Sequence, residues 1–134
     1  MFSGGAGPWE DDPNAGGWWG DEPPFGAPVF VVTHHEREPL TLGSTTFTFV
    51  TDGIEAAVRQ ARAAAGERDV QVCGGADVAQ QALAAGLLDE LHVHVAPLLL
   101  GSGVRLFERA EPGLVELTRI VESPRVMHLV YRVG

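Results

Sequence analysis

The sequence predicts an α/β domain: a mostly parallel sheet, helices on its faces and an antiparallel hairpin at the C-terminal end. Three observations predict it. Short β-branched runs alternate with two stretches of helical period. The second helical stretch opens directly after Gly74-Gly75, with no loop between strand and helix. Two apolar runs near the C-terminus are separated only by Ser123-Pro124-Arg125. The order strand, strand, helix, strand, helix, strand, loop, strand, strand implies parallel crossovers and one antiparallel edge.

Each element has its own signal. "PVFVVTH", starting at Pro28, is a β-branched run that reads as a buried strand. "STTFTFVT" alternates Phe47 and Phe49 against threonines, a second strand. "DGIEAAVRQARAAAG" is a helix with Asp52 as N-cap, Glu55 completing a capping box and Gly66 at the stop. Ile54, Ala57, Val58 and Ala61 recur at helical spacing and mark its packing face. "DVQVCGG" reads as a strand, "ADVAQQALAAG" as a short helix ended by Gly86, and "DELHVHVAP" as another strand. "LVELTRIVES" and "VMHLVYRV" form the terminal hairpin.

Residues 1–27 differ from the rest. "MFSGGAGPWEDDPNAGGWWGDEPPFGA" has no period of 2 or 3.6 and reads as an irregular loop, with Trp9, Trp18 and Trp19 needing a surface to cover. The regular domain is 28–134.

Composition excludes several functions. The net charge is −9 and all nine basic residues are arginines. Without lysine there is no Schiff-base, P-loop or pyridoxal-phosphate lysine. An acidic chain with no basic stripe speaks against nucleic acid, whose affinity comes mostly from neutralising phosphates. No apolar run approaches the ~18 residues of a spanning helix, and no secretory signal opens the chain. The single Cys73 cannot form an internal disulfide, which fits a reducing cytoplasm.

The Gly74-Gly75 joint is the functional signal. Ligands of parallel α/β sheets sit where strands end and helix N-termini point. Glycines there let a diphosphate approach the backbone amides; a tight turn with no ligand is the bland alternative. No GxGxxG is present. His92 and His94 share one strand face at a His-x-His spacing and, with His34-His35, suggest a metal centre. No matching Asp, Glu or Cys spacing supports one, and solvent-facing strand histidines are the expectation. Cys73, inside an apolar run, reads as a small buried hydrophobe.

Four segments carry a resemblance: "PVFVVTHHER", "FTFVTDGIEAAVRQARAAAG", "VCGGADVAQQALAAGLLDELHVHVAPLLLGSGVRLF" and "ELTRIVESPRVMHLVYRV". From Pro28 to Val133 the chain resembles the dihydrofolate-reductase-like superfamily. It is most similar to bacterial proteins related to the reductase (C-terminal) domain of the bifunctional riboflavin-biosynthesis enzyme. The resemblance implies NADPH as cofactor, with its diphosphate on Gly74, Gly75, Ala76, Asp77 and Val78. It places Thr33 and His34 near the adenosine 2′-phosphate with Arg37 as a partner, and Thr51 on the adenine side. Relatives often carry Ser-Arg where this chain has Thr33-His34, which bears on NADPH against NADH. The resemblance also implies that the first two strands of the family, the substrate half, are lacking. An apolar patch prone to association, and so to homo-oligomers, would follow. Two functions fit: hydride transfer from NADPH to a pterin- or pyrimidine-like small molecule, or a truncated, non-catalytic remnant that at most binds nucleotide.

Overall fold

The computed structural model describes residues 21–108 and 113–134. Trp9, Trp18 and Trp19 lie outside the described residues. The chain divides into two compact units, Met1–Gly74 and Gly75–Gly134.

In the first unit, β1 (Val29–Val32), β2 (Leu40–Leu42) and β3 (Thr45–Val50) form a sheet in the order β1-β3-β2. β1 runs parallel to β3, with Val29 opposite Phe47 and Val32 opposite Val50. β2 pairs antiparallel to β3 through a two-residue turn, Gly43-Ser44. Gly43 has φ +54, a left-handed conformation that side chains resist and that this kind of hairpin turn demands at its first central position. β2 was not among the expected strands, although Gly-Ser between two strand-like runs is itself a hairpin signal.

Strand alternation splits this sheet into two faces. Val50, Phe30 and Val32 lie on one, where they join Ala56 and Ala57 of α1 (Ile54–Ala65) in the apolar cluster of the unit. Thr45, Phe47 and Phe49 lie on the other. Phe47 is 1% exposed and meets Phe25 edge to face, with ring centroids 6.3 Å apart. Thr45, fully buried, accepts a hydrogen bond from the Gly26 N–H (3.1 Å) and donates to the Pro23 carbonyl (3.4 Å). Its hydroxyl thus ties 23–26 onto the sheet. Thr45→Val keeps the shape but leaves the Gly26 donor without this acceptor. The expected cost is about 1–3 kcal/mol, read as a lower urea midpoint with an unchanged slope.

The helix begins where expected but for a different reason. The N-cap is Gly53, at φ 86 and ψ −179, and no side chain caps the first turn. Asp52 and Glu55 therefore form no capping box. Only glycine takes that backbone conformation readily, so it sets the helix start. At the other end the Gly66 N–H closes on the Arg62 carbonyl at 3.1 Å, as the glycine stop predicts.

Residues 69–73, expected as a strand, enter no ladder. An apolar β-branched run becomes a strand only beside a partner that takes up its N–H and C=O groups, and none of the described strands pairs with it. Cys73 is accordingly exposed, not buried. Among the described residues the expected mostly parallel sheet reduces to the parallel pair β1–β3, and the other pairings are antiparallel.

The second unit begins with α2 (Ala76–Ala84). Its end is closed by two bonds, Gly86 N–H to the Leu83 carbonyl and Leu87 N–H to the Ala82 carbonyl, both 3.0 Å, the double closure of a Schellman motif. β4 (Glu90–Val95), β5 (Glu116–Glu122) and β6 (Met127–Arg132) form a sheet in the order β4-β6-β5. The terminal hairpin appears as expected: Ser123 N–H donates to the Val126 carbonyl at 3.0 Å and Val126 N–H to Ser123 Oγ at 3.1 Å. Opposite Leu117–Tyr131 and Arg119–Val130 pairs leave Thr118 as an extra residue on β5, and its hydroxyl donates to the Val130 carbonyl at 3.1 Å.

Register and alternation place Leu91, Val93, Leu129, Tyr131, Leu117 and Ile120 on one side of this sheet. Much of that side is open; Ile120 is 51% and Leu117 45% exposed. No helix among the described residues is long and apolar enough to cross a membrane.

Candidate functional site

The predicted cofactor residues fall into two groups, one in each unit. In the first unit, β1 and β3 run parallel and end side by side. Thr33 follows β1, and its N–H donates to the Val50 carbonyl at 3.1 Å, so Thr33 sits beside Thr51 at the C-terminal edge of the pair. The Thr33 hydroxyl in turn accepts the His35 N–H at 3.1 Å. That bond turns the chain away from the sheet and leaves His34 exposed. Arg37 returns over the sheet, its guanidinium carbon 5.2 Å from the centre of the Phe49 ring. A cation over an aromatic face is held there by the ring quadrupole.

Arg37 and Thr51 line an open depression together with Glu36, Glu38 and Phe49, whereas Thr33 and His34 are not part of its lining. The lining combines an aromatic ring, an oriented guanidinium and a hydroxyl at the ends of parallel strands, the usual position for a ligand in such sheets. Phe49, Glu36 and Glu38 are the lining residues that sequence reasoning missed, and Phe49 is the informative one. Its alternation with Phe47 marked it as strand core, and nothing in the spacing shows that the last aromatic of a strand borders a cleft. Glu36 and Glu38 flank the arginine and oppose any anion drawn to it.

The second group stands at the start of α2. Gly75 is the N-cap, with no side-chain cap bond to the first turn. The first-turn N–H groups of a helix have no partner within the helix and carry the positive end of its dipole. A Cβ built on Gly75 would meet nothing within 4 Å, so the approach to these amides is open. Ala76, Asp77 and Val78 follow in helical conformation, the helix closing its first bond from Ala79 N–H to the Gly75 carbonyl at 3.1 Å. The Asp77 carboxylate is engaged along the helix by Gln81 Nε2 at 2.7 Å. Gln80 is buried and donates to the Arg105 carbonyl at 3.1 Å, anchoring the loop after β4 to the helix.

The histidines behave differently. His92 and His94 share the exposed side of β4, as alternation predicts. No cluster of three or more His, Cys, Asp and Glu side chains able to hold a metal ion is found among the described residues. His92 Nε2 lies 3.0 Å from Glu90 Oε2. This hydrogen bond, and then the charges of His92, Arg119 and Arg132, hold the Glu90 carboxyl below its usual value, against a smaller opposing effect of desolvation. A depressed carboxylate contributes stability above the unfolded glutamate pKa and loses it as the pH falls through the folded one. The expected result is a Glu90 side-chain NMR titration with its midpoint below the ordinary glutamate value, moving back up in His92→Ala.

Comparison with known proteins identifies the family. The profile of the RibD C-terminal domain matches residues 8–129, and the chain belongs to that family, within the dihydrofolate-reductase-like superfamily. Among solved structures it is similar to a pyrimidine reductase-like protein from Corynebacterium diphtheriae, with a TM-score of 0.52 and 22% identity over 67% of this chain. The chain spans 39% of the length of that structure, and the likeness is one of fold. No curated protein matches the sequence.

Proposed function

We propose that the chain is an NADPH-binding reductase module of the riboflavin-pathway type, directed at a pyrimidine- or pterin-like ring. The observation that carries this is the open, uncapped start of α2 at Gly74-Gly75, in a chain of the RibD C-terminal family. The amides of Gly75, Ala76, Asp77 and Val78 suit diphosphate oxygens, since a helix N-terminus binds anions through its free N–H groups and dipole. Arg37, with Thr33 and His34, would take the 2′-phosphate, and Thr51 with the Phe49 ring the adenine side. When bound, NADPH supplies the hydride; the chain binds and orients it and needs little acid–base machinery of its own. The open apolar side of the β4-β6-β5 sheet supports self-association, which light scattering would report as a mass above that of a 14.3 kDa monomer.

A second reading, nucleotide binding without turnover, is favoured by one observation. Residues 69–73, which lead into the glycines, enter no ladder among the described strands. Hydride transfer needs close alignment, and a misplacement of ~1 Å can cost about a hundredfold. One experiment separates the two: NADPH titration by fluorescence, with NADPH oxidation measured on dihydrofolate and on a riboflavin-pathway pyrimidine. Binding with oxidation supports the reductase, binding alone supports the second reading, and no binding overturns both.

A further inference from the structure

His94 on β4 and His128 on β6 are direct partners in the antiparallel register. His94 is exposed and His128 half-buried, and their Nδ1 atoms lie 2.7 Å apart, the rings meeting edge to face with centroids separated by 4.8 Å. Two neutral imidazoles can hold this arrangement only if one ring carries its proton on Nδ1 and the other presents a lone pair. A cation between them is satisfied by both lone pairs at once, with no constraint on the tautomers beyond Nε2 protonation.

The geometry points to a two-nitrogen chelate. Nitrogens bound to a tetrahedral zinc at about 2.0–2.1 Å stand about 3.3 Å from each other. The observed pair therefore needs to open by only about 0.6 Å to admit the ion. Rotation about the side-chain torsions provides that, because the backbone register already holds the two histidines opposite one another. His92, the remaining histidine on β4, is engaged by Glu90.

We propose that His94 and His128 form a surface chelate for a late first-row divalent cation, with water completing the coordination sphere and the ion clasping β4 to β6. Imidazole pairs suit zinc, nickel and copper, and copper binds tightest in that series. The clasp lies within the second unit and is independent of the nucleotide site proposed above.

The test is calorimetric titration of ZnCl2 and CuCl2 into the untagged full chain, with electron paramagnetic resonance of the copper form. The expected result is one saturable site, copper spectra showing two nitrogen ligands, and a raised melting temperature with zinc. His94→Ala and His128→Ala should each weaken binding at least tenfold and abolish the thermal shift, while His92→Ala should leave both in place. Far-UV circular dichroism checks that the variants fold; if either does not, His94→Asn or His128→Asn replaces it. No saturable site in the native chain, undiminished binding in His128→Ala, or equal loss in His92→Ala overturns the proposal.

Discussion

Gly75→Val is expected to weaken NADPH binding at least about a hundredfold while leaving the far-UV circular dichroism unchanged. The proposed diphosphate site consists of backbone amides, so no side chain can be deleted to test it; adding one is the available perturbation. A Cβ at Gly75 meets nothing within the protein, so the added isopropyl group costs the fold little. It does occupy the space through which an anion reaches the first turn of α2. Losing two charge-assisted bonds at about 1.5–3 kcal/mol each corresponds to a hundredfold or more in affinity. Fluorescence titration of both proteins decides the matter. Equal dissociation constants would remove the diphosphate from this helix and, with it, the assignment of Ala76, Asp77 and Val78.

Phe47→Ala has the largest expected effect on stability. Phe47 lies on the central strand of its sheet, between Val29 of β1 and Leu40 of β2, and is 1% exposed. Truncation removes its transfer free energy, leaves a cavity and deletes the edge-to-face contact with Phe25. Buried Phe→Ala changes cost about 3–5 kcal/mol, a large share of the stability of a domain this size. Urea denaturation should show the midpoint collapsing. Phe49→Ala should cost less, because that ring borders the open depression. A Phe47→Ala midpoint within error of the native one would mean that the sheet is not held by this face.

Local signals made most of the secondary structure legible. Helical spacing around Ile54, Ala57 and Val58 and the stops at Gly66 and Gly86 give both helices almost to the residue. Ser123-Pro124-Arg125 gives the hairpin. The failures have two causes, partners distant in sequence and competition between neighbouring residues. Residues 69–73 have strand composition, but a strand is a property of a pair. Asp52 has the right chemistry for a cap, yet Gly53 intervenes because its backbone freedom is worth more at that corner. The site follows the same division. Gly74-Gly75, on which the proposed diphosphate site rests, stood out because glycine just before a helix is costly without a purpose. Phe49 beneath Arg37 did not, since only the return of 34–39 over the sheet brings the two together.

The additional residue at Thr118 gives β5 a tolerance that its neighbours lack. Leu117 and Ile120 are three apart, an odd interval that would put them on opposite sides of a regular strand. The surplus residue restores their parity, so both face the same way and Arg119 faces the other. Removing Thr118 leaves Leu117, Arg119 and Ile120 in plain alternation, opposite the same three partners. The strand therefore has one residue of slack, and its length can change by one without exchanging inside for outside. β6 has none. It pairs on both sides, with β4 and with β5, in a register without slack toward β4. Deleting Val130 would turn every residue beyond it over and put two ladders out of phase at once. Equal-sized deletions in adjacent strands should thus differ sharply in outcome: folded protein from the first, and loss of the sheet from the second.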